Sequence, residues 1–444
     1  MTIKTPPRAR AALTGVVATL LAFSTLADDS TEQIDEIVVT ADLLGRSVDE
    51  LPASLTLLDA DEIDALSVQH FEELVNVVPN LNWSGDGHRA RYFQIRGVGE
   101  LEQYQGAPNP SVGFLVDDID FSGIGTVATL FDIERIEVLR GPQGSRYGAN
   151  ALAGLVYMQS AAPTAERNGR VHLSAGEDDL WSAGIAFGGA LSDDERALFR
   201  LSAEQHRSDG FRRNAFLGSD DTNGRDELTV RGRLLLEPTD SVAINIAAMF
   251  ADIDNGYDAF ALDNSYTVLS DKPGSDAQRS SGVSARIDWF VDDRKTLTSI
   301  TAYADSDIGF GFDADWGNDD SWAPFTYDYT SASDRSRRTL SQELRLASAG
   351  ADRFDWLAGI YALRLDDGLR TRNVGEYFDP FSSFADSLDD DFASDYRADT
   401  IAAFGQVERT LGADTRLAAG LRLERRSADY RDSAGLTASP AETM

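Results

Sequence analysis

Apolar and polar residues alternate along the chain from Gly169 onward. One face of the segment 225–238 carries the apolar side chains Leu228, Val230, Leu234 and Leu236. The other face carries the polar side chains Thr229, Arg231, Arg233 and Glu237. Because a β-strand places successive side chains on opposite faces, one face of this segment suits lipid and the other suits water. The pattern predicts the strands of a membrane barrel.

The same alternation recurs in about eleven segments, which begin near residues 169, 180, 196, 225, 241, 281, 295, 336, 354, 398 and 414. The connections 238–240 and 349–353 are short, whereas 253–280, 308–335 and 367–397 are long and polar. Short turns at one end and long loops at the other are typical of outer-membrane barrels. A soluble β-sandwich also alternates and remains the alternative, although it seldom places Arg and Glu inside so many strands.

The sequence pattern of residues 46–164, which precede these strands, predicts a separate mixed α/β domain. A helical repeat of apolar residues runs through Phe71, Leu74, Val75 and Val78. It predicts a helix that begins near Ser67 and ends before Pro79. Short strands are predicted at Tyr92–Ile95, Val112–Val116, Ile133–Leu139 and Leu155–Gln159, with glycine-rich turns between them.

Residues 1–27 have the three parts of an export signal. Lys4, Arg8 and Arg10 precede an apolar stretch from Ala11 to Phe23, and small residues follow at 25–27. A membrane-anchoring helix is the alternative, but the apolar stretch is short for a bilayer and two aspartates follow it. The chain is therefore expected to be exported and the signal peptide removed.

Composition and motifs argue against several classes of partner and site. The formal net charge of -34 argues against a nucleic-acid partner, and the absence of Cys excludes disulfides and thiolate metal sites. The four histidines are widely spaced, so no zinc site is predicted. Aspartates at 313, 315, 319 and 320, and at 389–391, are more typical of solvated faces than of calcium sites. We predict no metal, no cofactor and no enzyme, since no nucleophile elbow or nucleotide loop is found.

Four segments of the first 160 residues resemble the signature of TonB-dependent outer-membrane receptors. They are DEIVVTA (35–41), QIRGVG (94–99), SVGFLVDDI (111–119) and IERIEVLRGPQGSRYGANALAGLVYMQS (133–160). The barrel segments 341–348, 356–361 and 404–410 resemble recurrent strands of that family. The resemblance implies a signal peptide (1–27), a TonB-box segment (28–45), a plug domain (46–164) and the N-terminal part of a barrel (165–444) that has about 22 strands.

The resemblance also assigns roles to residues near the N-terminus. The TonB box would comprise Asp35, Glu36, Ile37, Val38, Val39, Thr40 and Ala41. Its β-branched centre can add as a strand to TonB, which the ExbB and ExbD complex energises in this family. An ordinary first strand of the plug is the alternative reading of the same residues.

Within the plug and barrel, the resemblance implies a lock of Arg96 and Arg140 with Glu343 and Glu408, since Arg and carboxylates pair in bidentate geometry. Either glutamate could instead be a general lumen-facing charge. Cargo is expected to contact the outward-facing plug loops. The residues proposed for this contact are Trp83, Ser84, His88, Arg89, Glu100, Tyr104 and Phe121.

The implied function is energy-coupled import of a scarce nutrient complex, with an iron-siderophore as the favoured cargo and with cobalamin, haem and glycans left open. The implied location is the cell outer membrane, with outer-membrane lipid around the strands. About half of the expected strands are counted, and the last residues lack a terminal aromatic strand. A truncated or fragmentary receptor without transport activity of its own is therefore the alternative.

Overall fold

The structure is a computed structural model that describes residues 54–438 and 441–443, apart from gaps at 86, 102–107, 109, 126, 128, 143–150, 349–353, 412–414 and 436. A mixed α/β region begins the described chain, and a large antiparallel sheet follows it. The predicted fold class, a plug followed by strands of a barrel wall, is confirmed. The predicted signal peptide and TonB box lie outside the described residues.

The α/β region, residues 54–160, is called the plug below. Its main sheet contains β1 (Ser54–Asp59), β4 (Val112–Val116), β5 (Ile119–Asp120), β6 (Ile133–Arg140) and β7 (Gly154–Ser160). The strand order is β1-β6-β7-β4-β5, and only β4 and β7 pair in parallel. A separate antiparallel pair joins β2 (Leu81–Ser84) to β3 (Tyr92–Ile95). All four strands predicted for this region are confirmed.

Two short helices, α1 (Ala60–Leu66) and a 3₁₀ helix (Phe71–Asn76), replace the single predicted helix. Asp59 begins α1 because its side chain caps the backbone N–H of Glu62, whose own side chain caps Asp59 in return. Ser67 ends α1 in the left-handed conformation, with φ 52°. A helix beginning at Ser67 was therefore the wrong prediction. Among the described residues, no helix is long and apolar enough to cross a membrane.

The large sheet holds thirteen strands, eleven of them long. The first six long strands are β8 (Asn168–Ala175), β9 (Trp181–Ala190), β10 (Ala197–Ser208), β12 (Arg225–Thr239), β13 (Val242–Tyr257) and β15 (Gly274–Asp292). The next five are β16 (Lys295–Asp313), β17 (Thr326–Ser348), β18 (Phe354–Asp379), β19 (Phe384–Thr410) and β20 (Arg416–Asp432). Two short strands, β21 (Thr437–Ala438) and β22 (Ala441–Thr443), pair with β20.

Three smaller elements lie in the connections of the sheet. Two of them, β11 (Arg213–Asn214) and β14 (Thr267–Val268), pair in parallel with each other. The third is α2 (Asp319–Trp322), which Asn318 caps. The connections 176–180, 209–224, 258–273, 314–325 and 380–383 all lie at one end of the sheet, because every long strand is antiparallel to its neighbours. We call it the long-loop end.

The predicted alternation of the strands is confirmed. In β12, Thr229 and Arg231 are 2% and 3% exposed, whereas Val230 between them is 38% exposed. The polar residues of this strand therefore face the plug, and the apolar residues face away from it. We call the side toward the plug the inward face.

All eleven predicted strands are present, but three predicted starts are wrong. The strands expected near 281, 336 and 398 begin at Gly274, Thr326 and Phe384. Much of the predicted loops 253–280, 308–335 and 367–397 is therefore strand. These extensions carry polar side chains on both faces, so alternation of apolar residues does not reveal them. Backbone pairing continues through them, and exposed cross-strand ion pairs such as Arg370 with Asp391 add to it.

The plug has an apolar core of its own. Of the 27 buried residues that form the main cluster, only Met249, Ala251, Ala304 and Ile308 come from the large sheet. Small residues of the sheet let the plug approach closely. A Cβ atom on Gly282 would lie 2.8 Å from Ile119 Cγ2 and 3.1 Å from Phe121 Cζ. The absence of a side chain at Gly282 is therefore part of the fit between plug and sheet.

We expect Gly282→Val to destabilise the packing of the plug against the sheet by roughly 1–3 kcal/mol, because the new side chain overlaps Ile119 and Phe121. Hydrogen exchange of β5 and its neighbours, measured by mass spectrometry, should rise. Gly309→Val is the matched control, since the nearest atom to a Cβ at Gly309 lies 3.7 Å away. Equal exchange in the two variants would contradict this account of Gly282.

Candidate functional site

Two arginines of the plug share one carboxylate of the large sheet. Arg89 and Arg91 donate from Nη2 to Asp276 Oδ1, at 2.7 and 2.5 Å. Their Nη1 atoms donate to Gln278 Oε1, at 2.9 and 3.4 Å. Asp276 and Gln278 are two residues apart in β15, so both side chains lie on the inward face. All four side chains are almost completely buried, and the cluster is therefore a buried ionic contact between plug and sheet.

The backbone near these arginines also contacts the sheet. The His88 N–H donates to Asp276 Oδ2 at 3.1 Å, and His88 Nε2 lies 3.1 Å from the carbonyl oxygen of Gly256. Gly87 approaches so closely that a Cβ atom there would overlap the Asp276 carboxylate. Asp276 thus receives hydrogen bonds on both oxygens, which is how a buried carboxylate is stabilised.

A second buried ionic contact joins His70, which precedes the 3₁₀ helix, to β12. His70 Nε2 lies 2.7 Å from Glu227 Oε2, and Asn255 donates to the other oxygen of Glu227 at 2.8 Å. Burial lowers the pKa of His70, but the charge of Glu227 and the hydrogen bonds with Glu227 and Glu73 raise it to about 10. His70 is therefore protonated at neutral pH, and the contact is an ion pair.

Arginines of the large sheet bind the plug from the opposite side of the interface. Arg200 forms a bidentate ion pair with Asp132, donating from Nε to Oδ2 at 2.8 Å and from Nη2 to Oδ1 at 2.5 Å. Arg231 donates from Nη1 to the Phe131 carbonyl oxygen at 2.7 Å, and Arg233 donates to the Ser160 carbonyl oxygen at 2.6 Å. Rigid guanidinium groups thus satisfy backbone carbonyls at the edges of the plug.

The other side of the plug has a similar polar contact with β15 and β17. Arg335 donates to the Gly123 carbonyl oxygen at 2.8 Å while its other nitrogens contact Asp367 at 3.1 and 2.8 Å. Ser284 donates to the carbonyl oxygen of Asp117 at 2.6 Å. Polar contacts therefore surround the plug on β10, β12, β15 and β17, rather than on a single strand.

A polar cavity of about 640 Å³ lies between the plug and the strands β8 and β10. Three of the four histidines, His88, His172 and His206, line it together with Glu73 and Glu204. Such a lining can hold water, so the interface beside the buried ion pairs is not dry throughout. Sequence spacing gave no sign that these histidines come together.

Aromatic side chains collect on the inward face at the long-loop end. Tyr257 contacts Phe310 with ring centroids 5.1 Å apart, and Phe260 stacks on Trp316 at 5.0 Å. Phe312 joins both pairs. We call these five side chains the mouth surface. His88 contacts Tyr257 at 5.1 Å, so the mouth surface adjoins the ionic contact at Asp276.

The two plug arginines of the predicted lock have contacts within the plug or are exposed. Arg140 donates to the carbonyl oxygens of Pro79 and Leu55, at 3.3 and 3.4 Å. It thereby ties β6 to β1 and to the segment before β2. Arg96 is exposed in the turn after β3, in the left-handed conformation with φ 54°.

The two glutamates of the predicted lock lie on the inward face, as expected. Glu343 contacts Arg345 of its own strand at 2.7 Å, and Glu408 accepts from Gln406 at 2.6 Å. The structure thus describes other partners for Arg140, Glu343 and Glu408, while Arg96 is exposed, and the predicted pairing stays a prediction. The contacts that join plug and sheet here involve His70, Arg89 and Arg91 instead.

Two of the residues predicted to contact cargo are buried. Arg89 is 1% exposed and is bound to Asp276, and Phe121 is 1% exposed within the plug core. Neither side chain faces the solvent, so we leave both out of the cargo-binding proposal. Sequence could not show this, because a loop position alone does not reveal which side chains turn inward.

The other predicted cargo contacts differ in exposure. Trp83 is 36% exposed, and Ser84 accepts a hydrogen bond from Gln94. Glu100 accepts from both the backbone N–H and the hydroxyl of Ser111, which fixes the loop. His88 is held against Gly256, as described above, and Tyr104 lies outside the described residues. Within the described part of the chain, no group of three or more His, Asp or Glu has the geometry of a metal site.

Sequence reasoning missed the residues that join plug and sheet, although part of the signal was present. Arg231 and Arg233 place two positive charges close together on the polar face of one strand. Partners on the plug explain both charges. Glu227 lies on the same face. Nothing in the sequence pairs them with Phe131, Ser160 or His70, because those contacts span more than 70 residues.

Comparison with known proteins agrees with this architecture. Residues 47–155 match the family described as TonB-dependent Receptor Plug Domain. The vitamin B12 transporter BtuB of Vibrio vulnificus (strain YJ016) is 27% identical over 229 residues, which are 50% of this chain and 36% of that protein. The pesticin receptor of Yersinia pestis is 29% identical over 221 residues, 48% of this chain and 32% of that protein.

Solved structures show the same fold at lower identity. The ferric yersiniabactin uptake receptor FyuA of Yersinia pestis superposes with a TM-score of 0.71 at 21% identity, over 88% of this chain and 60% of that one. BauA, the ferric preacinetobactin receptor of Acinetobacter baumannii, gives 0.68 at 12%, over 92% and 62%. The chain thus spans about a third of the curated relatives and about 60% of these structures.

We expect Asp276→Asn to weaken the attachment of the plug by roughly 3–5 kcal/mol, because two buried guanidinium groups lose their counter-charge. Hydrogen exchange of residues 87–95 should increase accordingly. Asp252→Asn is the matched control. Asp252 of β13 contacts Arg279 of β15 at 3.0 Å, and both of these side chains are exposed. It should cost at most about 1 kcal/mol. Similar exchange in both variants would show that burial of the Asp276 cluster is unimportant.

The His70 pair predicts a dependence on pH. Because the pKa of His70 is raised to about 10 from an ordinary value near 6.5, its contribution is complete below pH 6.5 and is lost as the pH rises through 10. We expect thermal stability to fall over this range more steeply in the unmodified protein than in His70→Gln. His172→Gln, which leaves the pair intact, should retain the steep fall. If the thermal stability of the unmodified protein and of His70→Gln depended on pH in the same way, the ion pair would be contradicted.

Proposed function

We propose that this chain, which belongs to the TonB-dependent receptor family, takes part in energy-coupled import of a nutrient complex across the outer membrane. The observation that carries the proposal is the way the plug is held. Its apolar core comes mostly from its own residues, and its attachment to the large sheet includes several buried ion pairs and hydrogen bonds. Polar contacts can be exchanged for contacts with water one at a time, so such a plug can be released stepwise.

The N-terminal segment would supply the release. Residues 35–41 match the TonB box by resemblance, and an extended β-branched tract can pair with the sheet edge of a partner protein. In this proposal the partner is TonB, energised by ExbB and ExbD, and the signal peptide at 1–27 directs the chain toward the outer membrane. Force applied near the N-terminus would reach β1 first, which pairs with β6 through six residues.

Cargo would bind at the long-loop end, where two side chains of the mouth surface are accessible: Phe260 is 40% and Trp316 is 42% exposed. We favour an iron-siderophore complex, because two solved structures with this fold are described as ferric-complex receptors. A vitamin B12 transporter is also among the relatives, so a cobalamin-type cargo is the second candidate. No step of this function makes or breaks a covalent bond.

Val38→Pro tests the coupling. Proline removes the backbone N–H of Val38 and cannot complete a paired strand, so energised uptake should fall to the level seen in cells whose proton-motive force is collapsed. Growth under iron restriction and accumulation of radiolabelled iron, supplied as candidate ferric complexes, would measure it. Binding of cargo to the cell surface should be retained, because the mouth surface is not changed.

Thr31→Pro is the control for this experiment. It introduces the same residue into the same N-terminal segment, but before the proposed box, so it should leave uptake unchanged. Uptake that persists in Val38→Pro would contradict the TonB-box assignment. Loss of uptake in both variants would show that the segment before residue 35 matters as well.

A further inference from the structure

The mouth surface is an ordered array of rings. Tyr257, Phe310 and Phe312 project from the inward faces of β13 and β16, and successive ring centroids lie 5.1 and 5.7 Å apart. Phe260 and Trp316 extend the array from two different loops. Rings on strands are held in place by the sheet, so this surface is formed before any ligand arrives.

A second group of rings lies on β17, β18 and α2. Tyr327 contacts Tyr329, Tyr377 and Trp322, with centroids 5.0, 6.2 and 5.1 Å apart. Asp315 fixes this group, because it accepts from Trp322 Nε1 at 3.2 Å and from the backbone N–H of Tyr329 at 2.8 Å. The carboxylate therefore lies among aromatic side chains and is held by neutral donors.

The charge of the long-loop end is strongly negative. Its connections 176–180, 209–224, 258–273, 314–325 and 380–383 contain twelve acidic residues and three basic residues. Each basic residue already has a partner. Lys272 pairs with Asp328, Arg213 lies 3.3 Å from Asp220, and Arg212 donates to the Ser265 carbonyl oxygen at 3.0 Å. None of the three is placed to receive a bound anion without losing a contact.

Two of the carboxylates are buried and accept no hydrogen bond from a charged group of the described residues. Asp258 is 4% exposed and accepts from the side chains of Asn214 and Thr222, at 2.8 Å each. Asp313 is 5% exposed, and its Oδ2 has no hydrogen bond of standard geometry to any described residue. A buried carboxylate without a close cationic partner favours its neutral form, so the negative charge of this end comes mainly from exposed loop carboxylates such as Asp319 and Asp320. That charge attracts cations and repels anions.

We propose that the mouth surface selects cargo that carries no net negative charge and presents apolar or ring surfaces to the aromatic side chains. The inference rests on the proposed import function and specifies the cargo for the same site. A polyanionic complex would need guanidinium or ammonium groups to replace its hydration. The surface offers ring faces, which bind cations and apolar surfaces, and carboxylates, which bind cations and hydroxyl groups. Neutral and cationic complexes therefore fit, and polyanionic complexes do not.

The sign of the local charge can be measured without cargo. Quenching of Trp316 fluorescence, obtained as the difference between the protein and its Trp316→Phe variant, should be stronger with caesium than with iodide at equal, low ionic strength. The double variant Asp319→Asn, Asp320→Asn removes two exposed charges next to Trp316. It should reduce the preference for caesium. Acrylamide, which is neutral, should quench all variants equally and so controls for exposure.

Cargo selectivity is measured with one ferric trihydroxamate, ferrioxamine B, in three forms. Its terminal amine is free and cationic, acetylated and neutral, or succinylated and anionic, while the iron-binding core is unchanged. We expect the cationic form to bind the purified receptor roughly tenfold more tightly than the anionic form. A factor of this size is typical of one charge–charge interaction that salt partly screens. Phe260→Ala, which shortens the array, should weaken all three forms.

The outcomes separate the two proposals. Stronger quenching by caesium together with weaker binding of the anionic form supports the charge selectivity. Iodide quenching as strong as caesium quenching, or anionic binding as tight as cationic binding, overturns it and leaves the import function untouched. If none of the three forms binds, import of ferric trihydroxamates is contradicted, and the quenching result alone decides the charge selectivity.

Discussion

The two-residue period of the long strands is the constraint on which the rest of the structure depends. It places one row of side chains from each strand against the plug and the next row away from it. In β12 the inward row contains Glu227 and Arg231, both of which contact plug residues, while Val230 lies between them on the other face. A shift of register by one residue would turn these charges away from their plug partners and bury leucine against polar backbone, so the register is strongly specified.

The same period explains why the interface is polar. The inward face of a wide barrel is largely polar, and the plug meets it with only a few apolar contacts, so most of the contact between the two is polar. Arg231 and Arg233 contribute to this contact by donating to carbonyl oxygens at the plug's edges. Asp276 contributes to it by accepting from Arg89 and Arg91. The plug is therefore held to the sheet by specific polar attachments in addition to a few apolar residues of the sheet.

Sequence predicted the architecture better than the contacts. Alternation located all eleven long strands and their faces, because burial on one side imposes a period that local sequence must carry. It failed at the strand extensions before Ser281 and Ser336, where polar side chains lie on both faces and no apolar alternation marks the backbone pairing. It also failed for α1, whose boundaries come from a capping box at Asp59 and not from the apolar repeat after Ser67. The plug attachments could not be foreseen, because they join residues that are distant in sequence.

Energetics favour stepwise release of such a plug. If the plug moved as one body before water entered, the pairs at His70, Asp276 and Asp132 would be broken together, at roughly 3–5 kcal/mol each. A cargo that binds with nanomolar affinity has about 12 kcal/mol in total, most of it already used in its own binding. In the import function proposed above, the energy of cargo binding would be used mostly in binding itself, so displacement of the whole plug would require work from another source. Work applied at one end, with water replacing each contact in turn, avoids breaking the pairs simultaneously, and the polar cavity beside β8 and β10 gives water a place to enter.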